Sequence, residues 1–312
     1  MSRIHDALRK AEREKLGGAS PEGMPTLSET VVQSGPPGAA LSGGVSRTAG
    51  VAVTAVQANE SMPLEEKINS LAAASWNPDP KTMLFFGEQD HAAGSEQFRS
   101  LRSHLYLIRK EMPLKKLLVS SPLPKEGKTF VACNLAQIMV RQPDRRVLLM
   151  DADLRRSDMH LSFGASATPG LSDHLAGEAE TFEILQRGPL PNFYFIAGGK
   201  PVTNPLELIG NGRLKALLDR LAPAFDWIIL DSPPATLVSD AKMVAEHCDG
   251  ILMVVKAAST PFDVAQKGCL EFRGRRIVGV VLNRAEGPSA YTSLEYYDES
   301  KHQHEAVKTA KQ

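Results

Sequence analysis

The stretch LLVSSPLPKEGKT, residues 117–129, decides the fold. Leu117-Leu118-Val119-Ser120 is a short apolar run that reads as a strand buried on both faces, and a helical pattern through Leu135 and Ile138 starts directly after Thr129. A loop between a strand's carboxyl end and a helix N-terminus gathers unpaired backbone N–H groups, and the helix dipole adds to their pull on an anion. Within Pro124-Lys125-Glu126-Gly127-Lys128-Thr129 the glycine permits close approach of backbone to phosphate, Lys128 reaches for the β- and γ-phosphates, and the Thr129 hydroxyl is placed to ligate Mg²⁺. The strict pattern GxxxxGK[ST] requires a first glycine where this chain has Pro122. On this segment alone, a chance Gly-Lys-Thr at a helix start remains open.

Working outward, further apolar runs are VLLM (147–150), FYFI (193–196), WIIL (227–230), ILMVV (251–255) and IVGVVL (277–282). Helix-length segments lie near 128–142, 205–221, 236–247 and 261–273. Strands that alternate with helices in this way predict a doubly wound α/β fold with a mostly parallel sheet, with ligands at the carboxyl ends of the strands.

Two of those strand ends carry acids. VLLM runs into Asp151-Ala152-Asp153-Leu154-Arg155-Arg156, and i, i+2 spacing on a strand points both carboxylates to one side. Adjacent acids repel unless a cation relieves them. WIIL ends in Asp231-Ser232-Pro233-Pro234, where a lone aspartate also has a plainer reading as a turn cap. Three acids and the Gly-Lys-Thr loop at neighbouring strand ends form one predicted Mg·ATP site, which supplies what phosphoryl transfer needs: positioning, metal charge and a base.

The rest of the chain bounds the setting. Lys+Arg and Asp+Glu balance at 36 each among 312 residues, so no global positive field attracts nucleic acid. Cys133, Cys248 and Cys269 fit neither a disulfide framework nor a zinc pattern, which points to the cytosol. No apolar run reaches the roughly 18–20 residues of a membrane span, and MSRIHDALRKAEREK lacks the core of a secretory signal. The expected organisation is an amphipathic helix over 1–16, a flexible Gly/Ser/Pro/Ala-rich linker over 17–80, the α/β domain over 81–285 and a polar tail over 286–312.

Several ordered motifs together resemble the bacterial tyrosine kinases, or BY-kinases, of capsule and exopolysaccharide systems, in their stand-alone cytoplasmic form. SSPLPKEGKT is similar to that family's Walker A, VLLMDADLRR to its Walker A′ and WIILDSPP to its Walker B. GLSDHLAGE (170–178), FIAGGKPVTNPLELI (195–209) and GVVLN (279–283) match as well. The resemblance implies a P-loop NTPase of the MinD-like kind that binds ATP and Mg²⁺. Lys128 and Thr129 would hold phosphate and metal, Asp153 and Asp231 would act in metal coordination, and Asp151 would accept the tyrosine proton. Asn283 would contact adenine or simply cap a turn. Arg155 and Arg156 would steady phosphate, meet a neighbouring chain or stay solvated.

The resemblance extends beyond the nucleotide site. Glu96, Arg99 and Arg102, in E-x-x-R-x-x-R spacing, resemble the helix that packs between subunits in a homo-oligomer; ordinary helix charge pairing is the plainer account. The chain has five tyrosines, and Tyr291, Tyr296 and Tyr297 fall in the polar tail, where the family carries its phosphoacceptor cluster in denser form. Implied partners are a membrane-embedded polysaccharide chain-length regulator that recruits the protein to the inner face of the membrane, and a tyrosine phosphatase. The competing expectations are a nucleotide-switched ATPase of the MinD/ParA kind and an ATP-binding adaptor without transfer. The former group typically has a second lysine five residues before the P-loop lysine, and here that position is Leu123.

Overall fold

A computed structural model describes residues 62–80, 82–85 and 94–285. The expected apolar runs all form strands: β1 (Lys116–Ser120), β2 (Val147–Asp151), β4 (Phe193–Ile196), β5 (Trp227–Asp231), β6 (Gly250–Lys256) and β7 (Ile277–Asn283). Residues Val147 to Asp151 and Trp227 to Asp231 are buried without exception, as continuous apolar strands covered on both faces must be. A two-residue strand, β3 (Gln186–Arg187), is absent from the apolar pattern and pairs antiparallel with β4. It completes a seven-stranded sheet of order β3-β4-β2-β5-β1-β6-β7 whose other pairings are parallel.

That order places the ends of β2, β5 and β1 side by side. Val119 is in register with Asp231, and Asp231 with Asp151. The acids and the Gly-Lys-Thr loop, spread over more than a hundred positions of sequence, therefore leave the sheet at one edge.

Helices cover both faces. On one lie α2 (Ser95–Glu111) and α3 (Lys128–Val140), and the ten residues from Val131 to Val140 of α3 are all buried. A helix apolar all round has no solvent face, so α3 is sandwiched between the sheet and α2. On the other face, the expected helix over 205–221 divides into α6 (Pro205–Gly210) and α7 (Arg213–Leu221). Gly212 between them sits at φ 84°, a left-handed conformation that ends one helix and starts the next. The shorter helices are α1 (Leu64–Asn69), α4 (Met159–Phe163), α5 (Leu171–Ala176), α8 (Asp240–Ala245) and α9 (Phe262–Leu270).

The linker boundary at residue 80 needs correction. Residues 62–80 pack on the domain: α1 buries Ile68, Ala73 bridges Arg187 of β3, and the Arg187 guanidinium donates to the Asn69 and Leu71 carbonyls. Trp76 inserts its ring between Phe163, Phe193 and Phe195, with centroids 5.2, 5.7 and 6.0 Å away. Gly188 leaves space for it, since a Cβ there would lie 2.5 Å from the indole. Averaged composition hid this, because a few large anchors suffice when the intervening residues merely connect them. Residues 82–85 follow along α3, where Asn134 accepts from Leu84 N and donates to the Thr82 carbonyl, and Arg141 donates to the Phe85 carbonyl. The amphipathic stretch over 1–16, the first part of the linker and Tyr291, Tyr296 and Tyr297 of the tail lie outside the described residues.

Trp76→Ala is expected to lower the unfolding free energy by about 3 kcal/mol, as aromatic truncations in a packed core do. Urea denaturation of the two proteins checks it: a linker residue would leave the unfolding free energy unchanged within about 0.5 kcal/mol.

Candidate active site

The loop between β1 and α3 holds its shape through contacts that the motif does not spell out. Pro122, standing where the strict pattern has glycine, is buried against α9 at Gly268, and a Cβ on Gly268 would come within 2.8 Å of the proline ring. The missing side chain has thus moved to the facing helix. Thr236 donates to the Pro122 carbonyl at 2.6 Å, tying the loop to the segment after β5. Lys125 takes φ 63°, an unusual conformation for a side-chain-bearing residue, and Gly127 takes φ 93°. Glycine is required at 127 for a second reason: a Cβ would lie 2.1 Å from Asn283 Nδ2.

Two residues expected to meet nucleotide use their side chains to hold the loop in shape. The Glu126 carboxylate is buried and turned inward, accepting from Leu123 N at 2.8 Å and from the Thr260 hydroxyl. A carboxylate aimed at phosphate would repel it, and this one is turned away. Asn283, at the end of β7, donates to the Glu126 carbonyl at 2.7 Å and so staples the loop from behind. Neither lines the cavity, whereas Pro124, Lys125, Gly127, Lys128 and Thr129 do. Thr236, Thr260 and Gly268 were not legible as site-shaping residues, because each acts through a loop distant in sequence.

The cavity, of about 440 Å³, opens at the carboxyl ends of β1, β2 and β5. Lys128 Nζ stands 3.0 Å from Asp153 Oδ2 and 3.3 Å from Asp231 Oδ2, and the Thr129 hydroxyl donates to Asp231 Oδ2 at 2.6 Å. Burial alone would neutralise the lysine, but the Asp231 and Asp153 charges outweigh it and hold the ammonium well above its ordinary pKa. Asp151 looks into its own loop: Oδ1 accepts from Asp153 N at 3.1 Å, and Oδ2 from the Ser157 hydroxyl at 2.9 Å. Burial, reinforced by the charge of Asp231, pushes the Asp151 carboxyl up to about 7 despite the Ser157 hydrogen bond.

This donor set fits Mg²⁺ accompanied by nucleotide. One lysine pairs with two carboxylates, and Asp231 Oδ1 is buried with no hydrogen-bond partner among the described residues. An ammonium between two carboxylates occupies the kind of position a cation takes. Among the described residues no three His, Cys, Asp or Glu side chains converge as an all-protein metal cage. Mg²⁺ seldom uses such cages, since it retains waters and shares its coordination with phosphate.

The remaining expected residues are dispersed. On α2, Arg99 pairs with Glu96 at 3.0 Å, the plain helix pairing. Arg102 donates to the Ile138 carbonyl near the end of α3 at 3.1 Å, so part of its hydrogen-bonding capacity is used within the chain. Arg155 is not a solvated partner of Arg156; it grips Asp240 of α8. Arg156 pairs with Asp158 at the surface.

A carboxyl whose pKa is raised in the folded state contributes stability that is fully present below its unfolded value near 4. That contribution is lost as pH rises through about 7. Asp151→Asn, which removes the titrating group and can keep both contacts by accepting from Asp153 N and donating to the Ser157 hydroxyl, should therefore stabilise the nucleotide-free protein. Its advantage should grow by roughly 2 kcal/mol between about pH 5.5 and pH 8. Denaturant titrations at both pH values check this; a difference that does not change with pH would contradict the buried, uncompensated carboxyl.

Comparison with known proteins places this geometry. A curated relative, the tyrosine-protein kinase ptk of Acinetobacter johnsonii, is 31% identical over 197 residues, covering 62% of this chain and 27% of the relative. The tyrosine-protein kinase etk of Escherichia coli is 35% identical over 190 residues, covering 60% and 26%. The chain thus spans about a quarter of the length of these relatives. Among solved structures, the kinase domain of Escherichia coli tyrosine kinase ETK superposes with a TM-score of 0.61 at 29% identity, covering 75% of this chain and 90% of that one. The chimerical protein CapA2B2 gives 0.62 at 26% identity, covering 72% and 100%. Among the described residues no helix is long and apolar enough to cross a membrane. The model of the CobQ/CobB/MinD/ParA nucleotide binding domain matches residues 124–307, more than half of the sequence, and the chain belongs to that family.

Proposed function

We propose that this chain is an ATP-dependent protein-tyrosine kinase whose acceptors are Tyr291, Tyr296 and Tyr297 of its own tail, reached in trans within a homo-oligomer. The observation that carries the reading is the convergence of Lys128, Thr129, Asp153 and Asp231 in one cavity, with Asp151 beside them, in a chain similar to relatives named tyrosine-protein kinases. Backbone N–H groups of the loop through Gly127 bind the phosphates, and Lys128 leaves its two aspartates to meet the β- and γ-oxygens. Thr129, Asp153 and Asp231 would hold Mg²⁺, which when bound would supply positive charge for phosphoryl transfer. Asp151, buried beside these residues, takes the proton of the attacking phenol. The protein works in the cytoplasm at the inner face of the membrane, recruited there by a polysaccharide chain-length regulator, and a tyrosine phosphatase resets the tail. Glu96, Arg99 and Arg102 form the contact between copies, with Arg102 also holding its own α3.

The family match itself favours one second reading, a nucleotide-switched ATPase of the MinD/ParA kind. Against it stands Leu123, at the position where that group typically carries its additional lysine.

Incubation of the full chain with Mg·ATP, with and without membranes, followed by phosphotyrosine mapping by mass spectrometry, separates the two. Tail labelling that Lys128→Met reduces at least about a hundredfold, in a variant whose circular dichroism shows it still folded although Asp153 and Asp231 have lost their cation, supports the kinase. Phosphate release with no phosphotyrosine supports the ATPase, and labelling that survives Lys128→Met overturns the assigned site.

A further inference from the structure

Beyond the acids that face the cavity, Asp240 is another buried aspartate, at the first turn of α8. Its side chain is 2% exposed, and both of its oxygens are engaged by one guanidinium: Arg155 Nε at 2.6 Å from Oδ2 and Arg155 Nη2 at 3.1 Å from Oδ1. This is the fork-to-fork geometry in which arginine binds carboxylate with both distance and plane fixed. The two residues belong to the two loops that matter most to the cavity. Arg155 follows Asp151 and Asp153 after β2, and Asp240 follows Asp231 after β5.

The two ends of the pair differ in rigidity. Ala241, Val244 and Ala245 bury α8 in the core, so Asp240 is fixed to the body of the domain. Arg155 sits on a loop, with its side chain 43% exposed and lining the cavity. At the sheet the two loops are joined by a single backbone bond, Ala152 N to the Asp231 carbonyl at 2.8 Å. The Arg155–Asp240 fork is a second attachment farther along, and between the two lies Asp153, which faces Lys128.

The geometry points to Arg155 as a positioning residue, acting through Asp240 to keep the Asp153 loop at the separation from Asp231 that a shared Mg²⁺ requires. It rests on the nucleotide-site part of the proposed function and not on tyrosine being the acceptor. Ala152 and Leu154 pack in the core on either side of Asp153, and Asp153 N donates to Asp151 Oδ1, so the backbone is already held on the β2 side. The fork adds a cross-link to the segment after β5, which keeps Asp153 and Asp231 at one spacing when the cation and phosphates displace Lys128. Partners that orient metal ligands in this way typically change metal affinity by about 10- to 100-fold when removed.

The pair also has a purely structural consequence, which the test must separate. Arg155→Ala leaves Asp240 buried without its cation, which destabilises on that ground alone. In Arg155→Ala/Asp240→Asn both charges are gone, and the melting temperature should return close to that of the wild type. The affinity for ADP, read by displacement of a fluorescent nucleotide from the full chain, is then measured in EDTA and in Mg²⁺. Binding in EDTA should stay within about twofold of wild type, while the gain that Mg²⁺ brings should shrink by about tenfold in the double variant. A double variant with the wild-type Mg²⁺ gain would reduce the pair to structure and overturn the proposal. So would equal losses with and without Mg²⁺, or a wild type that gains nothing from Mg²⁺. If the wild type shows the gain and phosphorylates no tyrosine, the kinase reading fails and the positioning role stands.

Discussion

Asp151 and Asp231 stand in register at the ends of adjacent parallel strands, both buried, with Asp153 two residues farther along. Carboxylates so placed repel one another in a medium that screens them poorly, and the arrangement persists only because a cation stands among them. In the nucleotide-free protein that cation is the Lys128 ammonium. The site is therefore held in a state from which a stronger cation can release the lysine toward phosphate. The high pKa of Lys128 and the raised pKa of Asp151 follow from the same crowding: one group is held charged by its neighbours, the other is driven toward neutrality by burial and by Asp231.

The rest of the domain keeps this cluster in place. The phosphate loop lacks its first glycine yet retains its path, because Pro122 packs where Gly268 has no side chain and Thr236 holds the proline carbonyl. Behind the loop, Asn283 and the inward-turned Glu126 link it to β7 and to the segment after β6. These contacts come from the segment after β5, from the loop and helix after β6 and from the end of β7, so the loop's shape depends on several elements at the carboxyl edge of the sheet.

The segment that precedes the sheet, residues 62–80 and 82–85, forms a strap that adds a second constraint on the same loop. Helix α3 begins at Lys128 and is buried along most of its length, yet it carries Asn134 and Gln137 in that apolar setting. Buried amides are tolerated when hydrogen-bonded, and the backbone of residues 82–84 supplies partners for Asn134. Residues ahead of the sheet thus reach the helix that presents the P-loop lysine. Trp76 and Arg187 anchor the same strap at the opposite edge of the sheet, near β3.

The sequence by itself determined the strands, their alternation with helices and the acids at the ends of β2 and β5. These are local matters: an apolar run of four to six residues between turn signals has few other ways to bury itself. It also determined the Gly127-Lys128-Thr129 loop, since the chemistry of phosphate binding is written in consecutive residues. Only the tertiary structure decided the rest. Strand order brought β2 next to β5 and β5 next to β1, and no property of any one strand encodes its neighbours. Residues 62–80 became part of the domain because Trp76 found a space over Gly188, a complementarity between segments that neither shows alone. Glu126, Asn283 and Arg155 make side-chain contacts that no sequence pattern announced, because a polar side chain's partner is whatever the fold brings within hydrogen-bonding reach. For these three the partners are Leu123 and Thr260, the Glu126 carbonyl, and Asp240, the last 85 positions away in the chain and brought within reach only by the fold.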